Sequence, residues 1–231
     1  MIYALIVAAG KGIRIGGEIP KQFLNCKDRP VLSYTIEAFE KNKNIDGIIV
    51  VTSADYINEV RAYAEKYRFN KIKDIVEGGE TRQLSVFRGL SAIIRFANTN
   101  NAYVLIHDGA RPLVSEEIIN NNCEALKNHD CVCTVIKDTD TTYFSNDGHK
   151  IDSVMDRNSL YFAQTPQSFK LSTIYKLHRD AFTSKQYDSS DDIQLAGKAC
   201  LDIFLVEGNK KNIKITNPED LAIFEALLGH K

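Results

Sequence analysis

The sequence predicts an α/β sandwich, a mainly parallel sheet with helices covering both faces. Short apolar, β-branched runs alternate with helical patterns along the chain. Intervening helices of roughly 10–15 residues imply right-handed crossovers between parallel strands. The 231 residues, 44% apolar and 26% charged, are enough for a sizeable core.

The expected strands are Tyr3 to Ala8, Gly47 to Thr52, Ile72 to Val76, Tyr103 to His107, Asp130 to Val135 and Ile203 to Val206. Between them lie helix candidates at Val31 to Glu40, Asp55 to Tyr67, Ser85 to Phe96, Glu116 to Asn128, Leu171 to Thr183 and Pro218 to Leu228. Two helix starts carry their own chemistry. Ser115 precedes Glu116 and Glu117, and Asn217-Pro218-Glu219-Asp220 sets out a cap, a first-turn proline and two acids in order.

The stretch from Lys137 to Gln167 breaks the alternation. Its turn signal Ser145-Asn146-Asp147-Gly148, followed by Lys150 to Val154, reads as a β-hairpin. Two readings are open for it, a plain loop insertion or an arm that buries its apolar residues on a second subunit. With no Pro-, Gly- or Ser-rich linker and no repeat, one domain over residues 1–231 is expected.

Twenty-nine Lys plus Arg against thirty Asp plus Glu give a formal charge of −1, which argues against a nucleic-acid or anionic-membrane partner. Apolar runs such as Tyr3 to Ala9 are far shorter than the roughly 20 residues of a membrane span, and Met1-Ile2-Tyr3 lacks a basic leader, so a cytoplasmic protein is expected. The five cysteines show neither CxxC nor Cys/His metal spacing; reduced thiols that pack are expected, with Cys131 and Cys133 on one strand face.

After the first strand comes Ala8-Ala9-Gly10-Lys11-Gly12, then Arg14, Gly16 and Pro20-Lys21-Gln22. Small residues here let backbone N–H groups approach a phosphate, and Lys11, Arg14 and Lys21 form a local basic cluster. A solvated basic loop is the plainer alternative. Ile15 stands where a dinucleotide fingerprint needs its third glycine, and neither Gly12 nor Gly16 is followed by Lys-Ser or Lys-Thr, so hydride transfer and Walker-type phosphoryl transfer are disfavoured.

The segments AAGKGIRIGG, IPKQF, GGETRQLSV, HDGARPLV, DRNSLYFAQTPQSF and NIKITNPEDL, in that order, resemble the 2-C-methyl-D-erythritol 4-phosphate cytidylyltransferase family, which also includes ribitol-5-phosphate cytidylyltransferases. The resemblance covers nearly the whole chain. It implies a Rossmann-like nucleotidyltransferase α/β/α sandwich with a hairpin dimerisation arm at about 137–167. It also implies Mg²⁺-dependent transfer of a cytidylyl group from CTP to a sugar-alcohol phosphate, with release of pyrophosphate.

By the same resemblance Arg14, Lys21 and Lys214 are the catalytic cations. Ala8, Ala9, Gly10, Lys11, Gly12, Gly79 and Ser85 surround the nucleotide. Asp108, at the end of the Val104-Leu105-Ile106 strand, holds the metal and touches the acceptor. Thr139 and Arg157, from a neighbouring subunit's arm, and Ser190 bind the acceptor. Plainer roles are a surface lysine for Lys21, an edge-strand guard for Lys214, a turn cap for Asp108 and a helix cap for Ser85. His107 reads as structural, and Arg111 as structural or paired with a carboxylate.

The departures from the family pattern fall on the acceptor side, in Asp138-Thr139-Asp140-Thr141-Thr142 and Ser190-Asp191-Asp192-Ile193-Gln194. The expected acceptor is 2-C-methyl-D-erythritol 4-phosphate, with ribitol 5-phosphate or another polyol phosphate as the alternative. AAGKG, HDGARP and the absence of an S-D-A-C run speak against the ribitol branch.

Overall fold

A computed structural model describes residues 1–10, 19–187 and 189–229. In chain order the elements are β1 (Ile2–Ala8), β2 (Asn25–Cys26), β3 (Arg29–Pro30), α1 (Val31–Lys41), β4 (Gly47–Thr52), α2 (Ile57–Tyr67), β5 (Ile72–Glu77), α3 (Arg82–Ile93) and β6 (Tyr103–Asp108). There follow α4 (Glu116–Ala125), β7 (Cys131–Lys137), β8 (Tyr143–Phe144), β9 (Ser153–Val154), β10 (Tyr161–Lys170), α5 (Leu171–Thr183), α6 (Asp192–Lys198), β11 (Phe204–Glu207) and α7 (Pro218–Leu228). Among these residues no helix is long and apolar enough to cross a membrane.

Seven strands form the central sheet in the order β11-β7-β10-β6-β1-β4-β5. All neighbours run parallel except where β10 lies antiparallel between β6 and β7. Both faces are covered, which is why β1 and β4 read as nearly continuous apolar runs. Ala4 and Ile6 of β1, with Ile48 and Val50 of β4, pack under Leu32, Ile36 and Phe39 of α1. Tyr3 and Leu5, with Ile49 and Val51, pack on the other side with Val86 and Leu90 of α3 and Ile174 of α5. The period-two alternation of side chains assigns these residues to opposite faces.

The helix starts follow the sequence chemistry. The Ser115 hydroxyl accepts the Ile118 N–H at 3.2 Å, and the Asp220 carboxylate accepts the N–H groups of Thr216 and Asn217 at 2.7 and 2.9 Å. One start moves. The helix expected from Ser85 begins at Arg82, because Thr81 takes the cap and accepts the Leu84 N–H at 3.1 Å. The Ser85 side chain is thereby released from capping.

Among the described residues all five cysteines are free; only Cys200 is exposed. Burial pushes the Cys131 and Cys133 thiols up to about 12, so they behave as packed apolar groups.

The expected arm is shorter at both ends. Its hairpin is β8 against β9, turning through Gly148 at φ +73°, where Asp147 accepts the N–H groups of His149 and Lys150. The expected strand from Lys150 to Val154 is reduced to two residues. Tyr161 to Gln167, assigned by sequence to the arm, belongs to β10 of the central sheet. Its interior, Gln164 to Phe169, is buried yet four of its six residues are polar, so no apolar run announces it. Partners across the sheet make this tenable: Ser168 donates to Asn122 at 2.7 Å, and Thr134 donates to the Pro166 carbonyl at 2.6 Å. The unanticipated helix α6 follows from the same cause, since its first residues cap against β10.

Candidate active site

Strand succession reverses beside β1: β4 and β5 build outward on one side, and the chain then returns through α3 to place β6 on the other. In open α/β sheets ligands bind outside the carboxyl ends of the strands at such a switch point. A cavity of about 520 Å³ opens there, large enough for a nucleotide. Ala8, Ala9 and Gly10 form one wall, Gly79 and Ser85 another, and Lys21, Asp108 and Lys214 its charged floor.

Each wall is held from behind. Gln22, nearly fully buried, donates to the carbonyls of Ala8 and Gly10 at 2.6 and 2.9 Å, fixing the backbone where it leaves β1. On the other side the Ser85 hydroxyl accepts the Gly79 N–H at 3.1 Å and donates to the Thr81 carbonyl at 2.9 Å. The loop between β5 and α3 is therefore closed on itself by one serine. It can lie this close only without side chains: a Cβ on Gly78 would stand 2.4 Å from that of Ala9, and one on Gly79 2.4 Å from that of Leu84.

Asp108 is the electrostatic centre. Lys214 Nζ lies 2.7 Å from its Oδ2, Arg82 Nε 3.5 Å from its Oδ1, and Arg111 Nε 3.8 Å from its Oδ2. Burial works to raise the carboxyl's pKa, but Arg82, Lys214 and Arg111 outweigh it and hold the group well below the ordinary carboxylate range. Asp108 is thus ionised; three cations gather on it, Arg82 being shared with the Asp192 carboxylate, and the floor keeps an excess of positive charge that suits an anion.

The backbone at Asp108 is set by its neighbour. Burial pushes His107 down to about 4, so its imidazole is neutral near pH 7. Nε2–H then donates to the Arg111 carbonyl at 3.1 Å, and Nδ1 accepts from the Thr165 hydroxyl at 3.0 Å. The same hydroxyl oxygen accepts the Asp108 N–H at 3.1 Å. His107 is structural, as its sequence context indicates.

Lys214 arrives on the irregular segment before α7 rather than on a sheet edge, which removes the strand-guard reading. That segment is tied down on both sides of the lysine. Ile215 N–H donates to the Ala110 carbonyl at 2.9 Å, Arg111 Nη1 to the Asn212 carbonyl at 2.7 Å, and Asn212 Nδ2 to the Thr165 carbonyl at 2.9 Å. Arg111 is a brace for this segment as well as a partner of Asp108.

Of the residues nominated from sequence, Ala8, Ala9, Gly10, Lys21, Gly79, Ser85, Asp108 and Lys214 share this cavity. Lys11, Gly12 and Arg14 lie outside the described residues. Thr139, Arg157 and Ser190 do not line the cavity; Thr139 instead accepts from Lys210 Nζ at 3.2 Å. Sequence reasoning passed over Gln22 and Arg82. Arg82 had a signal, as the one cation within the Gly78-to-Ser85 motif, and Gln22 stood beside Lys21 with nothing to mark it as buried.

Comparison with known proteins adds to this geometry. The family model described as IspD, 2-C-methyl-D-erythritol 4-phosphate cytidylyltransferase, matches residues 2–230. The chain belongs to that family of cytidylyltransferases. A ribitol-5-phosphate cytidylyltransferase of Vibrio parahaemolyticus is 42% identical over 229 residues, covering 99% of this chain and 96% of the relative. A 2-C-methyl-D-erythritol 4-phosphate cytidylyltransferase of Clostridium novyi is 39% identical over 227 residues, covering 97% and 95%. The crystal structure of 4-diphosphocytidyl-2C-methyl-D-erythritol synthase from Anaerococcus prevotii superposes with a TM-score of 0.85 at 33% identity, covering 99% of this chain and 96% of that one. Family membership makes the chain a CTP-using nucleotidyltransferase and leaves two acceptors in view.

Proposed function

We propose that the cavity binds CTP with its cytosine between Gly79, Ser85 and the Ala8 to Gly10 wall, and its triphosphate toward Lys21 and Lys214. An oxygen of the acceptor's phosphate attacks the α-phosphorus in line; the new P–O bond forms as the bond to the β-phosphate oxygen breaks, and pyrophosphate leaves with that electron pair. A phosphate monoester is mostly dianionic near pH 7, so no general base is required. The obstacle is repulsion between anions, which fixed cations relieve. The observation carrying this reading is the convergence of Lys214 and Arg82 on Asp108, with Lys21 lining the same cavity, at the mouth of the switch point. Arg14, by resemblance, adds a further cation.

Among the described residues no three His, Cys, Asp or Glu side chains come together as a metal cage. The cavity lining offers the carboxylates of Asp108 and Glu80, and one or two carboxylates plus substrate phosphates suit Mg²⁺, which keeps several waters. Asp108 would hold it, and the ion would supply charge neutralisation on the triphosphate. Pyrophosphate release from CTP and acceptor is expected to stop on adding EDTA and return with excess Mg²⁺; turnover unaffected by the chelator would contradict this role of Asp108.

The acceptor we infer is a polyol phosphate, with 2-C-methyl-D-erythritol 4-phosphate as the first reading on the strength of the AAGKG and HDGARP segments. Ribitol 5-phosphate is the second, favoured by the 42% identity to the Vibrio protein and by the departures at Asp140 to Thr142 and Ile193-Gln194. Thr139 and Arg157 reach the acceptor from the arm of a second subunit. Tyr143, Phe144, Ile151, Val154 and Met155 leave that arm's apolar surface exposed, which supports a dimer. Arg157→Ala is expected to raise the acceptor KM at least tenfold while leaving that for CTP within twofold, in a protein whose mass by light scattering is that of a dimer. An unchanged acceptor constant would remove Arg157 from the site.

A further inference from the structure

Asp191 and Asp192 are part of the Ser190-to-Gln194 run that departs from the family pattern, and the proposed transfer gives neither a task. Asp192 opens α6 and is buried, its side chain 1% exposed. One carboxylate oxygen accepts from Arg82 Nη1 at 2.7 Å, and the other faces His178 Nε2 at 3.0 Å. Its N–H donates to Gln167 Oε1 of β10 at 3.0 Å, and Gln167 Nε2 donates to Asp191 at 2.8 Å. The start of α6 is therefore pinned to the central sheet. Arg82, on the first turn of α3, is held at one end by Asp192 and lies 3.5 Å from Asp108 at the other.

A guanidinium can serve two carboxylates at once because its donors form a fixed, planar fork. Here the fork spans the nucleotide wall, the Asp108 floor and the helix that follows Ser190. Ser190 itself is bound into this unit, its N–H donating to Gln194 Oε1 at 2.8 Å. The nucleotide wall has separate support, since Gly79 and Thr81 are fastened by Ser85. The nucleotide wall and the Asp108 floor thus depend on Asp192 unequally.

Resting on the function proposed above, we propose that Asp192 is a positioning residue for the acceptor: through Arg82 it sets Asp108, while its own N–H keeps the segment from Ser190 to Gln194 on β10. Loss of its charge lets Arg82 turn wholly to Asp108 and disturbs the acceptor side, while the cytosine site stays formed.

The test is Asp192→Asn, nearly isosteric, in the full-length protein. Expected is a rise of at least tenfold in the acceptor KM with the CTP constant within threefold, together with at least tenfold faster solvent exchange of the Arg82 Nη protons, which carry the bond to Asp192, followed by ¹⁵N NMR. A merely structural role would loosen both substrates alike. Should Asp192→Asn fail to fold, Arg82→Lys takes its place for the kinetic arm, because an ammonium can reach only one of the two carboxylates; the same split is expected. An unchanged acceptor constant, an equal rise for both substrates, or unaltered Arg82 exchange in folded Asp192→Asn would overturn the proposal. If the wild-type protein transfers cytidylyl to no polyol phosphate, the function reading fails by itself, and Arg82 exchange still decides whether Asp192 holds the guanidinium.

Discussion

Lys214→Ala is expected to lower kcat by roughly 10²–10³, the usual cost of removing one fixed charge-stabilising group from a transition state. Lys214 reaches into the cavity from an irregular segment braced by Ala110, Arg111 and Thr165, and its ammonium contacts Asp108. The brace uses backbone groups and the side chains of Arg111 and Asn212, so the variant keeps its fold. In the resting site Lys214 is 40% exposed and needs only a small movement to meet a phosphate. Its contribution grows as charge accumulates around the α-phosphorus, so kcat rather than CTP affinity carries the loss. Steady-state kinetics at saturating CTP and acceptor give the answer, and wild-type kcat would remove Lys214 from the chemistry.

Asp108→Asn is expected to reduce activity by more than 100-fold and to destabilise the fold. The variant leaves Arg82, Arg111 and Lys214 without their shared anion. Removing one partner of a buried ion pair typically costs about 3–5 kcal/mol; the exposure of Lys214 brings the figure here to about 2 kcal/mol. The sign of the pH dependence follows from a carboxyl whose folded pKa lies below its unfolded value near 3.8. Its stabilisation is complete above that unfolded value and is lost as the pH falls below about 4 toward the folded one. Chemical denaturation between pH 3 and 7 should show wild-type stability falling at the acid end, with a shallower fall in Asp108→Asn. Equal stabilities at pH 7 would contradict the three-cation arrangement.

The parallel core was legible because strands buried on both faces are written as apolar runs and their crossover helices as amphipathic ones. Tyr3 to Ala8 and Gly47 to Thr52 lie within a residue of their expected bounds. The strand from Tyr161 to Lys170 was not legible, for the opposite reason: Gln164, Thr165, Gln167 and Ser168 are buried by virtue of hydrogen bonds to residues distant in sequence, and hydropathy has no signature for that.

The site divides the same way. Gly79, Ser85, Asp108 and Lys214 could be named from motifs in three separate segments, which the sheet's switch point then brought into one cavity. Arg82, Gln22 and Asp192 act on those groups from behind, and their importance lies in partners such as the Ala8 carbonyl and Asp108 that only the folded chain places beside them.

Cytidylyl transfer to a polyol phosphate is the central claim, and the most direct test is to incubate the protein with CTP and Mg²⁺, offering 2-C-methyl-D-erythritol 4-phosphate and ribitol 5-phosphate in parallel, and to identify the products by ³¹P NMR. The account predicts a CDP-linked alcohol and one equivalent of pyrophosphate from at least one of them, the responsive acceptor naming the branch. Neither a CDP-alcohol nor pyrophosphate from either mixture, in a folded protein that binds CTP, would contradict it.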